Sequence, residues 1–131
     1  MKKLIACLFV ILITSCSTND ESTLDVYYDI LPVESAVVPE EFQLGYVHQI
    51  TLTYTLPTTC HAFNSIYATG IGTERTIAIS AYASSGNGYC EPAEIEKEVT
   101  FDFKAEEPGT YIFKFWQGEE DYLIIEVPVI D

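Results

Sequence analysis

The residues that could carry out chemistry in this chain are few: two histidines, His48 and His61, and three short acidic runs. The acidic runs, Glu40-Glu41, Glu106-Glu107 and Glu119-Glu120-Asp121, lie beside turn residues. Paired carboxylates cleave glycosides across a cleft, about 5–10 Å apart, and a small domain rarely has such a cleft. The sequence contains no Gly-x-Ser-x-Gly elbow, P-loop, dinucleotide-binding glycine pattern or His-Glu-x-x-His motif. These observations predict a protein without catalytic activity or a cofactor.

The last acidic run is the best candidate for a metal site. Gly118 precedes Glu119, Glu120 and Asp121, and loop carboxylates of this kind can bind calcium weakly. The run lacks the ligand spacing of an EF-hand loop. We therefore predict no built metal site and keep these three carboxylates as weak calcium candidates.

The first residues have the layout of a secretory signal. Lys2 and Lys3 precede an apolar run that ends at Ile13, too short to span a bilayer as a helix of about 20 residues. The sequence Ile13-Thr14-Ser15-Cys16 then resembles the lipobox of Gram-negative bacterial lipoproteins. The resemblance implies cleavage before Cys16 and a diacylglycerol on its sulfur, which anchors the chain in a membrane. The alternative is an ordinary cleaved signal with an incidental cysteine.

The residues that follow Cys16 indicate where in the cell envelope the protein is expected to lie. Residues 16–25 form a polar tether, because the stretch from Ser17 to Thr23 contains no apolar residue. Its Asn19-Asp20-Glu21 sequence resembles the acidic signals that direct some lipoproteins to the outer face of the outer membrane. The resemblance implies exposure on the cell surface, and a periplasm-facing anchor is the alternative.

The charge of the mature chain excludes one class of partner. Once residues 1–15 are removed, four basic residues remain against 20 acidic ones, a formal net charge of −16. Such a surface repels phosphate backbones, so we predict no nucleic-acid partner. Solubility and self-repulsion explain the charge without any partner.

Two cysteines remain for the fold. Cys7 leaves with the signal and Cys16 takes the lipid, which leaves Cys60 and Cys90 in a compartment that oxidises thiols. We predict that they form a disulfide. A metal site at Cys60-His61 would need another converging ligand, and His48 is the only other histidine.

Residues 26–131 predict an all-β domain. Apolar residues alternate with polar ones and are interrupted by Gly, Pro and Ser-Gly clusters, which indicates about seven strands and a β-sandwich with Greek-key connections. The final strand, Tyr122 to Val129, is nearly continuous in apolar residues, so we expect both of its faces to be covered. The other predicted strands lie in the segments 26–38, 48–54, 62–69, 75–82, 99–104 and 111–115.

The start of the sixth strand, Pro108-Gly109-Thr110-Tyr111, resembles the corner before strand F in immunoglobulin-like domains. The resemblance implies an immunoglobulin-like sandwich in which the Tyr111 hydroxyl bonds back to the preceding turn. The disulfide of antibody domains, which links strands B and F, is not expected here. Cys60 and Cys90 both fall in predicted loops, so a bond between them would join two loops.

Trp116, the only tryptophan, ends the sixth strand with a parity opposite to Tyr111, Phe113 and Phe115. We expect it to face outward near a loop, where it could stack on a sugar or anchor a protein, or else to cap the end of the core. Three segments also resemble the loops of chagasin-like inhibitors of cysteine peptidases: Pro57-Thr58-Thr59, Gly86-Asn87-Gly88 and Phe115-Trp116. Leu56 and Cys60 depart from the inhibitor pattern, as does the lack of Arg-Pro before Trp116.

The sequence thus predicts a lipid-anchored, non-catalytic binding or accessory protein of the cell envelope. Its expected partners are the membrane, through Cys16, and a protein or glycan. A chagasin-like peptidase inhibitor is the alternative function.

Overall fold

The computed structural model describes residues 26–84 and 89–131. The signal, Cys16, the tether and the loop at 85–88 lie outside the described residues. The described chain forms strands in two sheets, which confirms the predicted all-β sandwich. No helix that could cross a lipid bilayer occurs in residues 26–84 or 89–131. The strands are β1 Val26–Leu31, β2 Ser35–Val37, β3 Phe42–Gln43, β4 Val47–Thr58, β5 His61–Thr69, β6 Glu74–Ser84, β7 Pro92–Lys104, β8 Gly109–Trp116 and β9 Tyr122–Ile130.

The larger sheet has six strands and is organised around β6. Its order is β1-β6-β8-β9-β3, and β5 pairs with the other edge of β6. β1 and β8 share one edge of β6, since β1 pairs with Ile79–Ser84 and β8 pairs with Glu74–Ile77. The smaller sheet has the order β2-β4-β7.

The number of strands and their pairing differ in part from the prediction. The described residues form nine strands instead of about seven, and two strand pairs, β3–β9 and β6–β8, are parallel. Immunoglobulin sandwiches consist of antiparallel sheets, so an immunoglobulin-like topology is not confirmed. The parallel pairs join strands that are distant in sequence, and strand periodicity carries no information on such partners.

One predicted strand, 26–38, is two strands in different sheets. β1 pairs with β6 in the larger sheet, and β2 pairs with β4 in the smaller one. The chain crosses between them at Pro32-Val33-Glu34, where proline removes a backbone donor from the ladder. Pro32 therefore marks a change of sheet within this predicted strand.

The core lies between the two sheets and is rich in aromatic rings. Ile50, Leu52 and Tyr54 of β4 face Ile77 and Ile79 of β6, and all five are buried. At one end of the sandwich the rings of five residues form a cluster with centroid separations of 5.2–6.4 Å, namely Phe42, Phe103, Tyr111, Phe113 and Phe115. Full burial of one such ring contributes roughly 1.5–3 kcal/mol.

The predicted role of Tyr111 is confirmed. Its side chain is buried, and its hydroxyl accepts hydrogen bonds from the backbone N–H groups of Glu106 and Glu107, each 3.2 Å long. Gly109, with φ of 114°, supplies the left-handed conformation that turns the chain into β8. The tyrosine corner thus forms in a sandwich whose immunoglobulin-like topology is not confirmed.

The expectation that both faces of the final strand are covered is wrong. Val127 is buried against the core, but Tyr122 and Ile124 on the opposite face are 44% and 57% exposed. A continuous apolar run is typical of a strand buried on both sides. Here the run instead supplies apolar side chains to an outer surface of the sandwich.

Candidate functional site

The structure places the predicted Pro57-Thr58-Thr59 loop mostly within a strand. Pro57 and Thr58 are the last two residues of β4, and the register with β7 shifts between Leu56 and Thr58. Only Thr59 lies beyond the strand, in the turn that precedes β5. Gly86 and Gly88, the second predicted loop, lie outside the described residues.

Trp116 is the last residue of β8, and its predicted parity is confirmed. Tyr111, Phe113 and Phe115 point into the core, whereas Trp116 lies on the outer face and is half-buried. Its indole Nε1 donates a 2.9 Å hydrogen bond to the carbonyl of Glu119. The β8–β9 turn therefore fixes the indole while its outer side stays accessible.

Trp116 is remote from the disulfide end of the sandwich. Phe115 pairs with Ile77 of β6, whereas His61, next to Cys60, pairs with Ala83. Six residues of extended β6 separate these levels, which is about 20 Å along the strand. β1 pairs with Ile79–Ser84 of β6, the half of the strand that lies next to the disulfide. It therefore lies between the β8–β9 turn and the disulfide. Among the described residues, Thr59 and Trp116 are therefore not brought together.

The β8–β9 turn holds the weak calcium candidates. The Gln117 N–H donates to the Asp121 carbonyl at 2.8 Å, and the Asp121 N–H donates to the Gly118 carbonyl at 2.9 Å. Glu119 has a left-handed φ of 49° and uses its carbonyl to bind Trp116. In the described part of the chain no three histidine, cysteine or carboxylate side chains converge on a point that could hold a metal. The assignment of Glu119, Glu120 and Asp121 as weak calcium candidates therefore stays a prediction.

The predicted disulfide is confirmed. Cys60 and Cys90 are bonded, with their Cα atoms 5.4 Å apart. Cys60 lies in the turn from β4 to β5, and Cys90 precedes β7. The β4–β5 and β6–β7 connections each lead from one sheet to the other. The disulfide therefore links these two connections at one end of the sandwich. The backbone N–H of Thr59 also donates to the carbonyl of Glu91, at 3.0 Å.

Beside the disulfide lies a polar network that sequence reasoning missed. His61 Nε2 is 2.8 Å from Asp29 Oδ2, and His61 Nδ1 is 2.6 Å from Thr58 Oγ1. The Cys60 N–H also donates to Thr58 Oγ1, at 3.2 Å. Thr58 and His61 flank the cysteine, but Asp29 is 32 residues away and reaches them only through the pairing of β1 and β5 with β6. Strand periodicity alone does not contain this contact.

The network has the residue types of a hydroxyl–imidazole–carboxylate triad, but its surroundings indicate a structural role. The imidazole side chain of His61 is only 4% exposed, and the Tyr27 ring packs against it in a T-shaped arrangement with the ring centroids 6.1 Å apart. Both ring nitrogens are satisfied when Nε2–H donates to Asp29 and Nδ1 accepts from Thr58. No pocket opens beside this group within residues 26–84 and 89–131.

The outer side of the six-stranded sheet carries a row of aromatic side chains. Tyr67 of β5 pairs with Ala78 of β6. Phe115 of β8 pairs with Ile77, so the next residue, Trp116, lies beside Ala78. Trp116 in turn pairs with Tyr122. Three rings and one small residue therefore form a row across four strands, a span of about 14 Å.

A second pair of rings extends this surface along β6. Tyr28 pairs with Tyr82, four residues beyond Ala78 or about 13 Å along the strand. We call the outward side chains of Tyr28, Tyr67, Tyr82, Trp116 and Tyr122 the aromatic face. Four of these, the tyrosines, are 37–66% exposed. Between the two ring sets lies Ser80, whose hydroxyl accepts a 3.1 Å hydrogen bond from the Asn64 amide.

The opposite outer surface has a different chemistry. On β4 and β7 the outward residues are mainly threonines and acidic side chains, such as Thr53 opposite Glu98 and Thr55 opposite Glu96. Thr51 and Thr100 join across the strands through a 2.8 Å hydroxyl–hydroxyl hydrogen bond. One sheet thus presents an acidic, hydroxyl-rich surface to solvent, and the other presents aromatic rings.

Comparison of the chain with known protein families, with curated proteins and with solved structures finds no match.

Proposed function

We propose that this protein is a lipid-anchored, non-catalytic binding protein of the cell envelope that engages its partner through the aromatic face. The single observation that carries the proposal is the exposure of Tyr28, Tyr67 and Tyr122 beside Trp116 on one sheet surface. Tyrosine and tryptophan combine a large apolar area with a polar group, and they dominate the energetics of binding surfaces. Contiguous exposed apolar patches on soluble domains are often interaction sites.

The contrast between the two outer surfaces supports this proposal. If the exposed rings only reflected strand propensity, β4 and β7 would carry them as well, because aromatic residues are favoured in strands generally. Their outward positions instead carry residues such as Thr53, Glu96 and Glu98. Of the outer surfaces of the two described sheets, the one with outward aromatic side chains is that of the larger sheet, where a partner would bury them.

The burial of the Thr58–His61–Asp29 network supports the non-catalytic part of the proposal. A general base must come within hydrogen-bonding reach of a substrate proton. The His61 side chain is almost fully buried, and both of its nitrogens already have partners. The network satisfies polar groups at the disulfide end, which a buried imidazole requires.

The anchor in this proposal is Cys16, and the nine residues 17–25 separate it from the first strand. In a Gram-negative host, labelled palmitate should enter the wild-type protein but not a Cys16→Ser variant. To locate the domain, an epitope tag at Asp131 should be lost when intact cells are treated with a protease. Survival of the tag until the outer membrane is broken would place the domain on the periplasmic side.

The binding role is tested by photo-crosslinking on native cells. A benzophenone amino acid replaces Tyr28 on the aromatic face or, as the matched control, Thr53 on the outer surface of the smaller sheet. Benzophenone inserts into C–H bonds of proteins and sugars alike, so the probe does not presuppose the partner. We expect a crosslinked product at Tyr28 and none at Thr53. Equal products at both positions, or none at either, would contradict the proposal.

A further inference from the structure

We infer that the open edge of β5 binds an extended segment of a partner protein by strand addition. The inference rests on the proposed binding function and specifies the partner, because Tyr67 of the aromatic face lies on β5. Within residues 26–84 and 89–131, β5 pairs with β6 alone, so its other edge has no neighbouring strand. Alternate residues of a strand direct their N–H and C=O groups to the same edge. The ligand that matches such a row of groups is the backbone of another strand.

β5 lacks the features that protect the other long edge of the described sandwich. Its residues, His61–Thr69, include no lysine, arginine, aspartate, glutamate or proline. β7 instead begins with Pro92 and carries alternating acidic residues, and its Lys97 is exposed although it pairs with the inward Tyr54. Prolines and inward-pointing charges are devices that block strand addition. The remaining edge strands, β1, β2 and β3, have six residues or fewer. In the described chain, β5 is therefore the long edge that is open to a partner strand.

The space beside β5 contains apolar side chains that an added strand would cover. The chain crosses directly from β1 to β2 at one margin of the sandwich, so the open edges of β5 and β7 lie at the opposite margin. There Phe63 of β5 packs against Tyr54 with ring centroids 6.0 Å apart, yet Phe63 is 36% exposed. Ile95 and Val99 lie on the inner side of β7 and are only partly buried. Extension of the larger sheet over this margin would remove apolar surface from water, which favours binding.

The charge of the chain distinguishes between the possible occupants of this edge. A second copy would bring another formal charge of −16 against the first, and such chains repel each other. An uncharged or basic segment meets no such penalty, because β5 contains no acidic residue. On the outer side of the sheet the added strand would lie next to Tyr67, where aromatic or β-branched side chains form favourable cross-strand pairs. The ligand is therefore an uncharged or basic extended peptide with such residues at alternate positions.

The experiment uses the soluble mature chain, beginning after Cys16, and synthetic nine-residue peptides of this pattern, the length of β5. Fluorescence anisotropy measures binding, and NMR follows the exchange of backbone amide hydrogens. We expect alternate amides of residues 65–69 to exchange fast in the free domain and to become protected when the best peptide binds. N-methylation of alternate peptide amides on one edge should weaken binding by on the order of tenfold or more. The same change on the opposite edge of the peptide should have little effect.

Ala68→Lys is the variant that should block the site. Ala68 is exposed and pairs with the inward Ile77, so a lysine there would place on β5 the kind of charge that Lys97 places on β7. We expect binding to weaken by on the order of tenfold or more. Thr100→Lys is the matched control, because it makes the same change of charge at an exposed position of β7 and should bind like the wild type. Thermal unfolding verifies that both variants are folded.

Three results would overturn the inference. One is the failure of every peptide to protect β5, and another is equal weakening of binding by N-methylation on either edge. The third is protection of all β5 amides before peptide is added, which would mean that a second copy or another segment of this chain covers the edge. If the peptides fail but Tyr28 still crosslinks to a partner on cells, the binding function stands without strand addition. If the peptides bind but Tyr28 gives no crosslinked product, the proposed use of the aromatic face fails and the β5 site stands.

Discussion

Replacing Tyr111 with phenylalanine tests the tyrosine corner, because it removes one hydroxyl and leaves the ring in the core. The hydroxyl accepts two backbone hydrogen bonds of 3.2 Å, from Glu106 and Glu107. An intramolecular hydrogen bond contributes about 1 kcal/mol net, and an abandoned buried donor costs about 1–3 kcal/mol. Glu106 and Glu107 are exposed, so water can partly replace the lost acceptor. We expect the free energy of unfolding to fall by about 1–2 kcal/mol.

Urea unfolding followed by circular dichroism measures this change, with an unchanged slope against denaturant. In a thermal scan the melting temperature should fall by at least about 4 °C for a domain of this size. Tyr89→Phe is the control, since Tyr89 is 84% exposed and losing its hydroxyl should alter stability little. Equal stabilities of Tyr111→Phe and the wild type would refute the assignment of the corner as a stabilising element.

Three further predictions concern the rest of the fold. A Cys60→Ala/Cys90→Ala double variant should lose about 3–4 kcal/mol in urea unfolding, since the bond closes a loop of 30 residues; an unchanged midpoint would contradict this. Asp29→Ala should lose about 1–2 kcal/mol because it leaves His61 Nε2 without its acceptor, and Asp29→Asn should lose less; equal losses would count against the hydrogen bond. Burial raises the pKa of Tyr54 above its ordinary value of 10.0, so the unfolded chain ionises first. The stability that this group contributes is fully present below about pH 10 and is lost as the pH rises further. Unfolding measured from pH 8 to about 11 should therefore show a shallower decline in Tyr54→Phe than in the wild type, and parallel profiles would contradict the shift.

Several features could be predicted because their signals are local. The Pro108-Gly109-Thr110-Tyr111 sequence places a tyrosine at a corner, where its hydroxyl finds the preceding turn. Alternation along β8 places Trp116 on the face opposite Phe115. The disulfide could be predicted from Cys60 and Cys90 once the first two cysteines were assigned to the signal and the lipid.

The features that could not be predicted depend on strand order. The aromatic face joins Tyr67, Trp116 and Tyr122 only because β8 pairs with β6 in parallel and with β9 in antiparallel fashion. The contact between His61 and Asp29 likewise needs β1 and β5 on opposite edges of β6. Periodicity shows which side of a strand is buried, but it does not show which strands are neighbours.

The central claim is that the aromatic face is covered by a partner in the native envelope. Hydroxyl-radical labelling followed by mass spectrometry measures this directly, by comparing each tyrosine in the cell-bound protein and in the purified domain. Tyr67 and Tyr122 should be labelled less on cells than in the purified domain, whereas Tyr46 should be labelled equally in both. Equal labelling of all three tyrosines in the two preparations would contradict the claim.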